Sequence, residues 1–460
     1  MSLTCFTDRT TASLPITLIT PQDYANWLAS QTNTVKEWLN TTQFRLEAGA
    51  VRLIPDAKGK LERVICCVLT MQNKWQVGSL PFQLPEGSYY LENVSAEDSE
   101  YAIAWGAGAY QFTRYKAPKR EPAKLCVNKS ILNHVTNMVE AIYLVRDLIN
   151  TPTDNMGPTE FAVASEAVAK QYRADLTQIV GDALLKQNYV AIHTVGRASD
   201  DAPRLIDIRW GKPTDPKVTL VGKGVCFDSG GLDIKPASYM LLMKKDMGGG
   251  AHVLGLARMI MQAQLPIRLR VLIPVVENVI SGNAYRPGDV IQSRKGLTIE
   301  VGNTDCEGRV ILADALTEGA SEKPDLLIDI STLTGAARVA LGTELPAMFS
   351  NNDQLAADVI RCGEKVNDPM WRLPLYDLYR DYITSSIADL NNNSVEPYAG
   401  AITAALFLKA FVPDDVPWLH FDIMAWNARA RPGKPLGAEA MVLRALFSYL
   451  KEKVAKVSNS

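Results

Sequence analysis

The chain has 460 residues, 47% of them apolar and 21% charged, and 48 basic against 50 acidic side chains give a net charge of −2. At roughly 100–200 residues per domain this length predicts two or three domains, and the apolar share supplies a large core, which excludes wholesale disorder. The near-neutral balance gives no signal of nucleic-acid or membrane-surface binding, and no apolar run reaches the roughly 18–20 residues of a transmembrane helix.

In chain order, residues 1–125 read as a small mixed α/β unit. Its N-terminus carries an early acid, Asp8, and no apolar h-region, so no signal peptide is expected. Thr20-Pro21-Gln22-Asp23 predicts a helix start, and Val51–Ile54 and Val64–Met71 predict strands. Residues 115–123, YKAPKREPA, predict a loop or linker. A helix follows: Ile131, Val135, Met138, Ile142, Val145 and Ile149 recur at three- and four-residue steps, and Asn150-Thr151-Pro152 stops it. Its place within 126–154 suits a connecting helix; the periodicity equally fits an ordinary core helix.

From residue 155 strands and helices alternate. Strands are predicted at 204–210, 218–226, 267–276, 326–330 and 418–424, and helices at 250–264, 309–320, 356–366, 401–412 and 438–451. This pattern predicts an α/β domain over 155–460 with a mostly parallel sheet flanked by helices, whose ligands sit beyond the carboxyl ends of the strands.

The seven cysteines are odd in number and scattered without a CxxC pair, which fits a reducing cytoplasm better than a disulfide framework. Four histidines and no HExxH mean that any metal must rely mainly on oxygen donors. Two clusters supply them. Residues 221–235, VGKGVCFDSGGLDIK, run a buried-strand pattern into a glycine-rich loop carrying Lys223, Asp228 and Lys235, and MKKDMGGG at 243–250 adds Asp246 before a helix. Residues 302–309, GNTDCEGR, place Asp305, Glu307 and Arg309 at another helix start, where the dipole favours the acids and disfavours the arginine. Four converging carboxylates would repel without counter-charge, and two divalent cations would neutralise them. On spacing alone, a dinuclear hydrolase and scattered loop salt bridges both remain open. Ser229 has no histidine in triad order and reads as a turn residue. Cys306 and Cys226 read as packed thiols, and His252 and His420 as structural.

The segments VGKGVCFDSGGLDIKP, KKDMGGG and NTDCEGRVILADAL closely resemble the leucyl aminopeptidase (cytosol aminopeptidase) family, supported by RDLINTP at 146–152 and STLTGAARVALG at 331–342. The resemblance implies a homohexameric, cytoplasmic exopeptidase that binds two divalent ions per subunit (zinc or manganese, with magnesium a further candidate) and acts on peptides with a free N-terminus through a metal-activated water. It implies Lys223, Asp228, Asp246, Asp305 and Glu307 as metal ligands. It implies Lys235 and Arg309 as catalytic cations, with a bicarbonate held by Arg309 as general base. Met243, Asn303, Thr332, Leu333, Gly335 and Met424 match substrate-binding positions. The chain departs from the family pattern at NNNSVEPYAGA (391–401) and at Asp422–Asn427, where larger side chains would reshape the first specificity pocket and with it the preference for leucine. A non-catalytic binding protein on the same fold, or a different metal-dependent amidohydrolase, are the competing readings.

Overall fold

The computed structural model describes residues 3–118 and 120–458; Met1 and Ser2 of the N-terminal reading, and Lys119 of the expected linker, lie outside the described residues. The chain divides into two compact units, Met1–Tyr143 with Arg429–Leu436, and Leu144–Ala428 with Gly437–Ser460. The division falls inside the helix Lys129–Asn150, between the cuts expected at 125 and 154, and a late segment returns to the first unit. That return rests on glycines: a Cβ at Gly78 would meet the backbone nitrogen of Gly433 at 2.3 Å, a closeness no larger residue permits.

The first unit holds six strands: β1 (Phe6–Thr7), β2 (Leu14–Ile19), β3 (Val51–Pro55), β4 (Leu61–Cys67), β5 (Ser88–Leu91) and β6 (Lys124–Cys126), in the order β1-β6-β5-β2-β4-β3. The first helix begins at Tyr24, later than expected, because Thr20 and Asp23 form a turn in which the Asp23 N–H bonds Thr20 O and Oγ1. β4 stops at Cys67, short of the predicted Met71.

The second unit is built on one large sheet. Its strands are β7 (Asp175–Val180), β8 (Arg204–Trp210), β9 (Lys217–Gly222), β10 (Gly224–Asp228), β11 (Arg268–Asn278), β14 (Leu326–Ser331), β15 (Ala347–Ser350), β16 (Trp371–Arg372) and β18 (Trp418–Asp422). Between β11 and β14 the chain forms β12 (Val290–Gln292) and β13 (Thr298–Glu300), which join β17 (Leu390–Asn391) in a small separate sheet. The large sheet runs β16-β15-β18-β14-β9-β11-β8-β7, with β10 also on β11. β18, β14, β9, β11 and β10 pair in parallel, and β7–β8, β8–β11 and β15–β18 are antiparallel. The sheet is therefore mixed and mostly parallel, with helices packed on it. β14 shows why the core strands read as continuous apolar runs: Leu326, Leu327, Ile328 and Ile330 are all 0% exposed, so both faces are covered.

Two sequence expectations change in this unit. The single strand predicted over 218–226 is two, broken at Lys223, whose N–H bonds Ile330 O and whose carbonyl accepts from Gly250 N–H. The last helix starts at Leu443 and not at Ala438, because Gly437–Ala438 pair with Trp426–Asn427 and the Asp368 carboxylate takes the Val442, Arg444 and Ala445 N–H groups of the first turn. β7 and β15 had no counterpart in the sequence reading. Among the described residues no helix is long and apolar enough to cross a membrane.

Candidate metal centre and active site

The chemistry-bearing side chains collect at the carboxyl ends of the parallel strands. Lys223 follows β9, Asp228 ends β10, Asn278 ends β11 and Thr332 follows β14. Two helix starts close over them. The 3-10 turn Met243–Met247, leading into the helix Gly248–Gln262, brings Asp246, and the helix Glu307–Ser321 brings Glu307 and Arg309. The helix at Gly248 can approach because Gly249 has no side chain: a Cβ there would lie 2.1 Å from Ile330 O.

Lys223 is the hub. Its Nζ lies 2.6 Å from Asp246 Oδ2, 2.8 Å from Glu307 Oε1 and 3.4 Å from Thr332 O, with 4% of the side chain exposed. Thr332 Oγ1 donates to Asp246 Oδ1 at 2.7 Å and fixes that carboxylate's other edge. Lys235 Nζ lies 2.8 Å from Asp228 Oδ2 and also contacts Asp305 Oδ1. The turn that swings Lys235 back uses Gly230 and Gly231 at φ of 89° and 66°, and its N–H bonds Ser229 O at 2.9 Å. Asp228 Oδ1 accepts from Gly230 N–H at 2.8 Å and from Asn278 Nδ2 at 2.9 Å. Oxygens of Asp228, Asp305 and Glu307 all lie within 4.8 Å of one another.

Charge here is unbalanced. Four carboxylates share the ammonium groups of Lys223 and Lys235. Burial opposes the Lys223 charge, yet Asp246, Glu307 and Asp228 outweigh it and raise its pKa; Lys235 is raised in the same way by Asp228 and Glu307. Asp246 is pushed down to about 2, Lys223 overcoming the burial that acts the other way. Asp228 is pushed up to about 6, first by burial and then by Asp246. Glu307 lies well above the usual carboxylate range through burial and the neighbouring Asp228. Its Oε2 is buried without a hydrogen-bond partner. A buried acceptor of this kind calls for a cationic ligand, and an all-oxygen set with one lysine nitrogen suits a hard or borderline divalent ion.

Arg309 lies 6% exposed, donates from Nη1 to Asn392 O at 2.7 Å, and keeps a buried Nε without a partner. Asn303 Oδ1 caps the turn carrying Asp305, accepting its N–H at 2.7 Å. Met243 and Met424 are half-buried, Thr332 is buried, Leu333 is half-buried and Gly335 is exposed. Leu333 and Thr334 N–H groups bond Asp422 Oδ1 at 2.9 and 3.3 Å. Ser229 Oγ donates to Asn278 O, and the Cys306 thiol, raised by burial, faces Asn393 Oδ1. His252 and His420 bond Gly248 O and Asp329 Oδ1.

Several supporting residues escaped the sequence reading. Asn278 bonds both Asp228 and Thr304 O; Tyr285 OH donates to Thr304 O at 2.5 Å; Asp233 Oδ2 accepts the Thr304 N–H at 2.8 Å. Asn392, 0% exposed, accepts from the Gly302 and Asn303 N–H groups and donates to Asn303 O. The only local signal was a polar residue at a strand's carboxyl end, which marks Asn278 alone.

A mostly parallel α/β sheet carrying buried carboxylates and lysines at its strand ends offers the donor set of a metal-dependent enzyme. Residues 143–447 match the model of the cytosol aminopeptidase family, catalytic domain, and residues 14–128 that of the M17 aminopeptidase N-terminal domain. A probable cytosol aminopeptidase of Syntrophotalea carbinolica is 41% identical over 364 residues, 75% of this chain and 73% of that protein. One of Mycobacterium tuberculosis is 38% identical over 370 residues, 76% of this chain and 72% of its own length. The crystal structure of the cytosol aminopeptidase from Coxiella burnetii superposes with a TM-score of 0.95 at 50% identity, covering 98% of this chain and 99% of that one. The bottromycin maturation enzyme BotP in complex with Mn gives a TM-score of 0.85 at 30% identity, covering 96% and 100%. The chain belongs to the cytosol aminopeptidase family, and its activity is that of a metal-dependent aminopeptidase, a hydrolase of peptide bonds.

Proposed function

We propose that this aminopeptidase holds two divalent cations on Lys223, Asp228, Asp246, Asp305 and Glu307 and releases the first residue of peptides with a free N-terminus. The observation that carries the reading is the convergence of Asp228, Asp305 and Glu307 oxygens within 4.8 Å, with Glu307 Oε2 left without a partner. Manganese or zinc are the ions of choice: both accept carboxylate and nitrogen donors, and the BotP relative is described with Mn. Bound there, such ions supply Lewis-acid polarisation of the scissile carbonyl and lower the pKa of a water to make a nucleophile.

The chain's own residues do the rest. Asp246 and Glu307 steer Lys223 Nζ, and Thr332 holds Asp246 in line. Lys235, fixed by Asp228 and Asp305, keeps a positive charge beside the centre to steady the developing oxyanion. Arg309, with its buried free Nε, is the residue that would hold a bicarbonate as a general base. Met243, Asn303, Thr332, Leu333, Gly335 and Met424 border the substrate. The functional division proposed is an N-terminal domain over 1–125, a connecting helix over 126–154 and a catalytic domain over 155–460, which differs from the two compact units within that helix and at Arg429–Leu436. A cytoplasmic homohexamer is the expected working form; seven free cysteines fit a reducing compartment.

Hydrolysis of a leucine anilide beside its N-acetyl analogue tests this, with chelator and then manganese or zinc added. Cleavage of the free-amine substrate alone, lost to chelator and restored by metal, is the expected result. Cleavage of the acetyl analogue would favour a deacylase-type amidohydrolase. No cleavage across a panel of first residues would favour a binding role.

A further inference from the structure

Two cations beside the carboxylate–lysine centre take no part in it. Lys245 is 1% exposed, directly precedes Asp246, and its Nζ is buried without a hydrogen-bond partner. Arg338, half-buried, lies one turn into the helix Gly335–Leu341, and its buried Nη1 also lacks a partner. The two lie near enough for the Arg338 charge to act on Lys245. Burying a cation unpaired is unfavourable, and groups left so beside an active centre are candidates for completion by a ligand.

The local geometry says where that ligand would sit. Arg338 Nη2 lies 4.0 Å from the point where a Cβ of Gly335 would stand, and apart from Gly335's chain neighbours and the backbone of its own helix nothing else comes within 4 Å. The exposed face of Gly335 therefore opens onto a guanidinium. Three residues upstream, Thr332 is tied to the centre through Asp246 Oδ1 at 2.7 Å and Lys223 Nζ at 3.4 Å. The nearby acid is already engaged. Asp422 Oδ1 accepts from the Leu333 and Thr334 N–H groups, and Oδ2 from Thr334 Oγ1 at 2.6 Å. Asp246, the other acid acting on Lys245, is held by Lys223. Positive charge is left in excess on the Thr332–Arg338 side.

We propose that Arg338, backed by Lys245, forms a carboxylate-recognising wall of the first specificity pocket, so that the preferred N-terminal residue is glutamate or aspartate. A guanidinium pairs a carboxylate through two parallel hydrogen bonds, and a site built for such bonds rejects a side chain that cannot complete them. The inference rests on the reading of Met243 and Thr332–Gly335 as substrate-bordering, and it replaces the leucine-like preference with an acidic one.

The test compares kcat/KM for glutamyl, glutaminyl and leucyl anilides on the manganese-loaded protein, with calorimetric binding of free glutamate and free glutamine. Glutamyl should exceed the nearly isosteric glutaminyl substrate at least about tenfold, about 1.4 kcal/mol, and glutamate should bind more tightly than glutamine. Arg338→Met and Lys245→Met should each lower the glutamyl-to-glutaminyl ratio about tenfold, and Arg338→Lys should retain part of it. Cleavage of leucyl substrate with glutaminyl equal to or better than glutamyl overturns the inference and leaves the proposed function standing. If no anilide is cleaved, the proposed function fails. In that case equal binding of glutamate and glutamine overturns the inference as well, and tighter glutamate binding lost in Arg338→Met sustains it.

Discussion

Gly308→Ala sets helix stability against site geometry. Gly308 is the second residue of the helix Glu307–Ser321, and it is buried. By propensity alone, alanine should stabilise that helix by about 1 kcal/mol. A Cβ at this position, however, would stand 2.6 Å from Lys223 Cε and 2.8 Å from its Cδ and Nζ. Carbon contacts settle at about 3.5–4.0 Å, so the lysine tip must retreat by about 1 Å. It has little freedom to do so, because the side chain is 4% exposed and held at 2.6 and 2.8 Å by Asp246 and Glu307. At an effective dielectric of about 20, stretching one such contact from about 2.7 to about 3.7 Å forfeits about 1.7 kcal/mol, and two forfeit about 3. The loss exceeds the helical gain, leaving a net destabilisation of about 2 kcal/mol. The site suffers more, since ligand distances tolerate only about 0.2 Å. Manganese affinity should fall at least about tenfold, with activity following. The assays are thermal melting, manganese titration by calorimetry and anilide hydrolysis. A raised melting temperature with unchanged manganese affinity and activity would refute the reasoning, because it would mean that Lys223 is not confined.

Other expectations follow from single residues. His252 is neutral in the fold, its Nδ1 donating to Gly248 O at 2.6 Å and its Nε2 accepting the Met441 N–H at 2.9 Å. Burial pushes its pKa down to about 4. The unfolded chain therefore takes up a proton first as pH falls below about 6.5. The histidine's contribution is intact above that pH and is lost towards pH 4, about 3 kcal/mol in all, and His252→Gln should flatten that acid limb in denaturant titrations. Asn392→Ala strips partners from the Gly302 and Asn303 N–H groups and should destabilise by about 2–4 kcal/mol, with earlier proteolysis across 300–306 as the readout. Removing divalent cations should lower the melting temperature and re-addition restore it, because a cation at a hundredfold excess over Kd adds about 2.7 kcal/mol; no recovery with either manganese or zinc would argue against a cation on these carboxylates.

Much of the fold was legible because apolar periodicity follows directly from which faces are covered. The strand at 204–210 and the helix ending before Pro152 match what was read from residues alone. The candidate site was legible from its charged residues clustered in glycine-rich loops together with the family resemblance; spacing alone left loop salt bridges open. Long-range polar contacts were not. Asn278 meets Asp228 from 50 positions away, and Asn392 meets Gly302 from 90. Asn278 is marked only by its place at a strand's carboxyl end, and Asn392 not at all, since the same residue commonly closes a turn. The return of Arg429–Leu436 to the first unit was hidden for a similar reason: its glycine is meaningful only beside Gly78 and Trp75.

The break at Lys223 is the point where fold becomes site. The apolar run through 218–226 fits one strand, and if that strand ran on, Lys223 and Asp228, five positions apart, would project to opposite faces of the sheet. They do not remain so disposed. The chain leaves β9 at Gly222, anchors Lys223 to Ile330 O and Gly250 N–H, resumes as β10 on β11, and slips register again between Val225 and Asp228. Two interruptions reset the alternation, and both side chains reach one cluster, close enough for the Asp228 charge to act on Lys223. Gly222 makes the first interruption feasible, since a Cβ there would lie 2.7 Å from Gly249 O. A β-branched residue at 222 would extend the apolar pattern and improve the strand by propensity. It would also drive the helix at Gly248 off the strand ends, and Asp246 with it.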